Sequence, residues 1–170
     1  WFYVLTLPTQ KRTFVYDPDE DAWHNRESYQ LGYWRASCYE QIFGINIVGD
    51  SESNKLGQLS RSVYQEYGGY WVARRVSGVF AAKNKLVSAN RLELTFPSGQ
   101  VPQNITHQAR LRWSDNKGLT YGNPMIKEIG TAGAGNQRLV WWSMGSFRQR
   151  VYELSISTAA NRDLIDEDFQ

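Results

Sequence analysis

A chain of 170 residues, 41% apolar and 21% charged, is long enough for one domain or two small ones with a sizeable core. This composition excludes a disordered chain, and no run approaches the ~20 apolar residues of a membrane-spanning helix. The single cysteine, Cys38, excludes an intrachain disulfide and a multi-cysteine zinc site. Its small apolar side chain is expected to be buried. The net charge of +2 conceals a segregation: residues 1–60 carry −3, residues 61–150 carry +9 and residues 151–170 carry −4. A basic middle between acidic ends would suit a polyanion or its own acidic ends, although such charges ordinarily just solvate outer faces.

The opening Trp1-Phe2-Tyr3-Val4-Leu5 has no basic region ahead of an apolar stretch, so no signal peptide is expected. It reads as the middle of a strand, as in a fragment or a processed product. Residues 2–7 are apolar on both faces, as in a strand sandwiched between layers. Residues 8–10 predict a turn, 12–16 a second strand, 17–21 a polar turn and 22–25 a short third strand. Residues 41–48 predict an apolar strand, 49–54 a turn and 55–60 another strand. Residues 77–85 are a plausible boundary. Beyond it, Leu92, Leu94 and Phe96 share one face of a strand, and Ala109, Leu111 and Trp113 share one face of the next, with Arg110 and Arg112 opposite. Residues 138–144 are apolar on both faces, and Tyr152, Leu154 and Ile156 alternate on a last strand. Residues 97–99, 115–118 and 130–135 are the expected connections, and residues 158–170 fit a helical turn or an acidic tail.

With 14% aromatic residues and 14 glycines, an all-β chain of antiparallel strands is expected. Val4 and Ile47, and Tyr16 and Leu59, are each 43 positions apart. Such a spacing, with several short strands per unit, is the signature of β-propeller blades. The expected fold is therefore a set of antiparallel β-meander units belonging to a β-propeller, part of a larger propeller-bearing chain. Residues 1–78 would be blade-like units. Residues 79–170 would complete the propeller or form an adjoining β-sandwich.

Catalytic and cofactor chemistry finds little support. His24 and His107 have no partner at metal-ligand spacing, and there is no nucleophile elbow, P-loop or dinucleotide fingerprint. The glycine-rich stretch 130–135 precedes no helix that could meet a phosphate. Asp17, Asp19, Glu20 and Asp21 crowd into one turn, where polar residues are needed in any case. No catalytic residue, metal or cofactor is assigned.

Two features stand out. Ser114-Asp115-Asn116-Lys117-Gly118-Leu119-Thr120-Tyr121 resembles the Asp-box hairpin turn of sialidase-like propellers, with Ser114, Gly118 and Thr120 matching, Asn116 in the Asp place and Tyr121 in the Trp place. A short side-chain oxygen can cap turn amides there, and Gly118 can adopt positive φ. In those families the box is a structural turn, so it supports a fold and no hydrolysis. The second feature is a basic surface containing Arg74, Arg75, Arg110 and Arg112, expected to serve assembly first and loose DNA contact second.

The order Arg91-Leu-Glu-Leu-Thr-Phe96, then residues 111–121, Ile129-Gly130, Trp142-Ser143-Met144-Gly145 and Arg148-Gln-Arg-Val-Tyr-Glu-Leu-Ser-Ile-Ser157, resembles the C-terminal portion of the packaged-DNA stabilisation proteins of short-tailed bacteriophages. These are also described as tail accessory factors, or tail nozzle or hub proteins. Phe14-Val-Tyr-Asp17, Trp23-His24, Trp34-Arg35-Ala36 and Val48-Gly49-Asp50 extend the resemblance into the first half. Asn116 and Lys117 replace an acidic-glycine pair, and Met144 replaces leucine. The resemblance implies a non-enzymatic virion tail protein, made in the bacterial host cytoplasm. Its subunits would form a homo-oligomeric ring that extends and closes the portal channel, stabilises packaged DNA and takes part in tail assembly and genome ejection. The implied partners are the portal-adaptor complex and the tail needle or tailspike, with loose non-specific proximity to DNA and no direct membrane insertion. The alternative is a sialidase-like or carbohydrate-binding propeller fragment.

Overall fold

The computed structural model describes residues 2–60, 62–69, 71–96, 105–131, 133 and 135–160, and the backbone of 166–169. Expectations placed on Trp1, Tyr70, residues 97–99, 132, 134, 161–165 and 170 lie outside the described residues. The described residues form sixteen strands and no helix, in two compact units, Trp1–Trp71 and Val72–Gln170. The division falls at 71/72 instead of 78/79, because residues 73–76 form a strand paired within the second unit.

In the first unit, β1 (Tyr3–Leu7), β2 (Arg12–Asp17) and β3 (Ala22–Asn25) form one antiparallel sheet, and β4 (Ala36–Ile42), β5 (Ile45–Asp50) and β6 (Leu56–Gln58) form another. Alternation on β2 buries Thr13 and Val15. The Thr13 hydroxyl accepts the backbone N–H of Trp34 at 3.1 Å, so these buried groups satisfy each other. Three expectations fail here. Residues 3–5 of β1 are exposed on both faces, so no second layer covers this strand among the described residues. Residues 41–48 are not one strand: Phe43 and Gly44, both at positive φ, turn the chain between β4 and β5. Cys38 is exposed, on a strand whose residues 37–42 are all exposed.

The 43-residue offset thus set β1 beside β5. By strand order, the starts at Tyr3, Arg12 and Ala22 recur at Ala36, Ile45 and Leu56. Each sheet has three strands where a propeller blade has four, and the described residues contain no closed or radially repeated strand order. All-β with antiparallel sheets is the observed class.

The second unit contains β7 (Ala73–Val76), β8 (Phe80–Ala81), β9 (Val87–Ser88), β10 (Arg91–Phe96), β11 (His107–Ser114), β12 (Met125–Gly130), β13 (Gln137–Trp142), β14 (Ser146–Phe147), β15 (Gln149–Ile156) and β16 (Asp166–Phe169). One sheet has the order β13-β10-β16, a second β12-β11-β15-β7 with β8 also on β15, and β9 pairs with β14. Leu92, Leu94, Phe96, Leu139 and Trp141 from the first sheet share one core with Ala109, Leu111, Ile129, Tyr152 and Ile156 from the second. Two sheets covering one apolar core make a β-sandwich. Of the residues expected in the core, Leu92, Leu94 and Trp141 are buried and Trp113 packs partly buried against them. Residues 138–142 alternate instead of being buried on both faces: Trp141 is fully buried while Trp142 is 59% exposed. The C-terminal segment forms neither a helical turn nor a loose tail at 166–169, where its backbone adds a strand to β10.

Candidate functional site

β11 ends at Ser114, and its side chain organises the turn that follows. The Ser114 hydroxyl accepts the backbone N–H of Gly118 at 2.8 Å and that of Asn116 at 3.3 Å, and donates to Asn116 Oδ1 at 2.7 Å. Asn116 Oδ1 also accepts the N–H of Thr120 at 2.9 Å, while its Nδ2 donates to Thr120 Oγ1 at 2.7 Å. Gly118 takes φ +87°. Ser114, Asn116, Gly118 and Thr120 are thereby joined in one hydrogen-bonded ring. Tyr121 lies beside it with the Arg112 guanidinium 4.6 Å from the ring centroid.

Asp115, the remaining acidic residue of the turn, faces the sandwich. Its carboxylate accepts from Nε and Nη2 of Arg150 at 2.6 and 2.9 Å, while Nη1 of Arg150 donates to the Met144 carbonyl at 2.7 Å. The Arg150 guanidinium also lies 4.5 Å from the Phe147 ring centroid and 5.1 Å from that of Trp113. Burial works against this charge, and Asp115 and Tyr152 together more than compensate, so the pKa of Arg150 stands above its ordinary value. A planar guanidinium held bidentately and packed between rings is a geometry lysine cannot reproduce. This clamp joins residues 35 positions apart and is not among the sites expected from the sequence. The available signal was an arginine at the start of β15, directly ahead of Val151 and Tyr152.

The four arginines of the expected basic surface separate. Arg110 on β11 pairs across Ser155 on β15 with Arg74 on β7, so the side chains of Arg74 and Arg110 leave by the outer face of the sheet. Arg112 is on that face too, but its Nε donates to the buried carboxylate of Glu153 at 2.7 Å. Arg75 pairs with Leu154 and so points to the opposite face. The surface is accordingly built on Arg74 and Arg110, with Arg112 committed to an internal ion pair.

Among the described residues no group of three His, Cys, Asp or Glu side chains is placed to hold a metal ion. The exposed carboxylates of residues 17–21 serve their own turn: Asp17 Oδ1 accepts the N–H of Asp19 at 2.9 Å, and Asp21 Oδ1 accepts the Tyr16 hydroxyl at 2.7 Å. What the geometry offers is stiffness: a capped turn, a clamped strand and a closed core. A family model described as "Bacteriophage P22 Gp10, beta-sandwich" matches residues 73–165, almost the whole of the second unit. No curated protein matches the chain.

Proposed function

The chain belongs to the family of the bacteriophage P22 Gp10 beta-sandwich, and from this we propose that it acts as a non-enzymatic subunit of a phage tail hub or nozzle. It extends and closes the portal channel, stabilises packaged DNA and takes part in tail assembly and ejection. Its subunits form a ring that meets the portal-adaptor complex and the tail needle or tailspike. The two three-stranded meanders of residues 1–71 serve as blade units of a propeller in a larger chain. The protein is made in the host cytoplasm, resides in the virion tail, passes DNA loosely and does not insert into membranes.

The observation that carries this reading is the coincidence of the family match with a unit whose polar groups are spent on rigidity. The Asp115–Arg150 clamp and the Ser114–Thr120 ring lock one end of the sandwich. Nothing in the family match favours the sialidase-like or carbohydrate-binding alternative.

A nonsense mutation in the phage gene tests the proposal. Particles that package DNA, fail to retain it and lack the tail below the portal are expected. Particles with a complete tail and normal DNA retention would overturn it.

A further inference from the structure

One end of the sandwich carries positive charge without a counter-charge. Three connections meet there: residues 82–86 between β8 and β9, residues 115–124 between β11 and β12, and residues 143–149 from β13 to the start of β15. β15 ties them together. Its Gln149 and Arg150 pair with Ala81 and Phe80, and Gln149 Nε2 donates to the Asp115 carbonyl at 3.4 Å. Arg148 Nη1 donates to the Asn84 carbonyl at 2.5 Å. Asp115 is the only acidic residue in the three stretches, and Arg150 neutralises it. Lys83, Lys85, Lys117 and Arg148 remain, all exposed. No ion pair among the described residues involves any of the four.

Two of these lysines are kept against backbone preference. Lys83 and Asn84, at φ +42° and +65°, are the central residues of a turn closed by the Lys85 N–H on the Ala82 carbonyl at 2.8 Å. Lys117 stands at φ +61°. Left-handed positions favour Gly, Asn or Asp, so neither lysine is there for the sake of its turn. A charge retained at a local cost points to a contact outside the chain.

Cations of one sign on three separate loops suit an extended polyanion better than a single small anion, which would need them convergent. Ammonium groups are point charges that meet phosphates without reading bases. Leu86 and Leu119, exposed on the same turns, are single aliphatic residues and not the aromatic anchors on which protein contacts centre. We propose that this end of the sandwich is the surface past which duplex DNA moves, with Lys83, Lys85, Lys117 and Arg148 meeting its phosphates. The proposal rests on the tail-hub reading above, which supplies DNA as the polyanion, and it assigns the contact to this end and not to the Arg74–Arg110 face. Such a contact is loose, because it is driven by counterion release and weakens steeply with salt.

Fluorescence anisotropy of labelled duplexes with the 170-residue chain tests it. Two duplexes of unrelated sequence are expected to bind alike, with log affinity falling against log salt at a slope of about −3 to −4. Lys85→Glu combined with Lys117→Glu is expected to weaken binding by about tenfold or more at low salt and to make the slope shallower by about 2. Arg74→Glu combined with Arg110→Glu changes the net charge equally and is expected to bind nearly as the parent does. Thermal melts establish that both double variants fold. No binding at roughly 50 mM salt, equal losses in the two double variants, or polyglutamate bound as tightly as the duplex would each overturn the proposal, the last in favour of an acidic protein partner. None of these results touches the tail assignment, which is read from particles.

Discussion

At the residue scale, the turn after β11 depends on two kinds of chemistry that substitution separates. Gly118 stands at φ +87°, and a Cβ there would meet the Tyr121 hydroxyl at 3.3 Å. Valine at this position suffers both the backbone strain and the contact, at a cost of about 1–3 kcal/mol. Asn116→Asp retains the oxygen that accepts from Ser114 and Thr120, and the Thr120 hydroxyl can turn to donate to the second oxygen. Thermal unfolding of the two variants is therefore expected to show a clear loss for Gly118→Val and little change for Asn116→Asp. Equal stabilities would mean that the ring does not hold the turn.

At the element scale, an ion pair ties β4 to β5 in the first unit. Arg35 extends from the start of β4 to Asp50 at the end of β5, with Nε at 2.6 Å and Nη2 at 2.5 Å from the two carboxylate oxygens. The hydrogen bonds from Arg35 hold the Asp50 carboxyl well below the usual carboxylate range. A group depressed on folding stabilises fully above its unfolded value, near 3.9, and loses that contribution as the pH falls below it. The first unit is thus expected to lose stability between about pH 5 and pH 2. In Asp50→Asn that slope flattens while the stability near neutral pH drops. Melting curves followed by tryptophan fluorescence across this range check the expectation, and an unchanged slope in the variant would refute it.

At the scale of the whole molecule, the segregated charge is an assembly question. Arg112 cannot report on it, because reversing that charge would strand the buried Glu153 and damage the sandwich itself. Arg74 and Arg110 are exposed and share the outer face of the second sheet. Reversing both to glutamate is expected to lower incorporation into particles, and the parent assembly is expected to loosen with salt, since exposed charges are screened beyond ~8 Å at physiological ionic strength. Particle composition and DNA retention separate the possibilities. Variant tails that assemble normally but leak DNA would transfer the role of this surface to the channel.

Alternation along a strand depends on neighbours within two positions, so the class of fold was legible in residues 91–96, 109–113 and 150–156, and each forms the expected strand, although β15 buries Val151 and Glu153 as well as Tyr152 and Ile156. The turn at 114–121 was legible for the same reason, because its hydrogen bonds close within a few residues. Strand pairing is a long-range property. Residues 3–5 and Cys38 have side chains suited to burial, and only the absence, among the described residues, of a layer packed over β1 and β4 exposes them. Likewise the burial of Arg150 follows from β11, which brings Asp115 to it from 35 positions away. Composition and local periodicity determined that the chain is all-β. Which arginines face solvent, where the units divide, and that the second unit is a sandwich were decided by contacts between residues far apart in sequence, which no local pattern encodes.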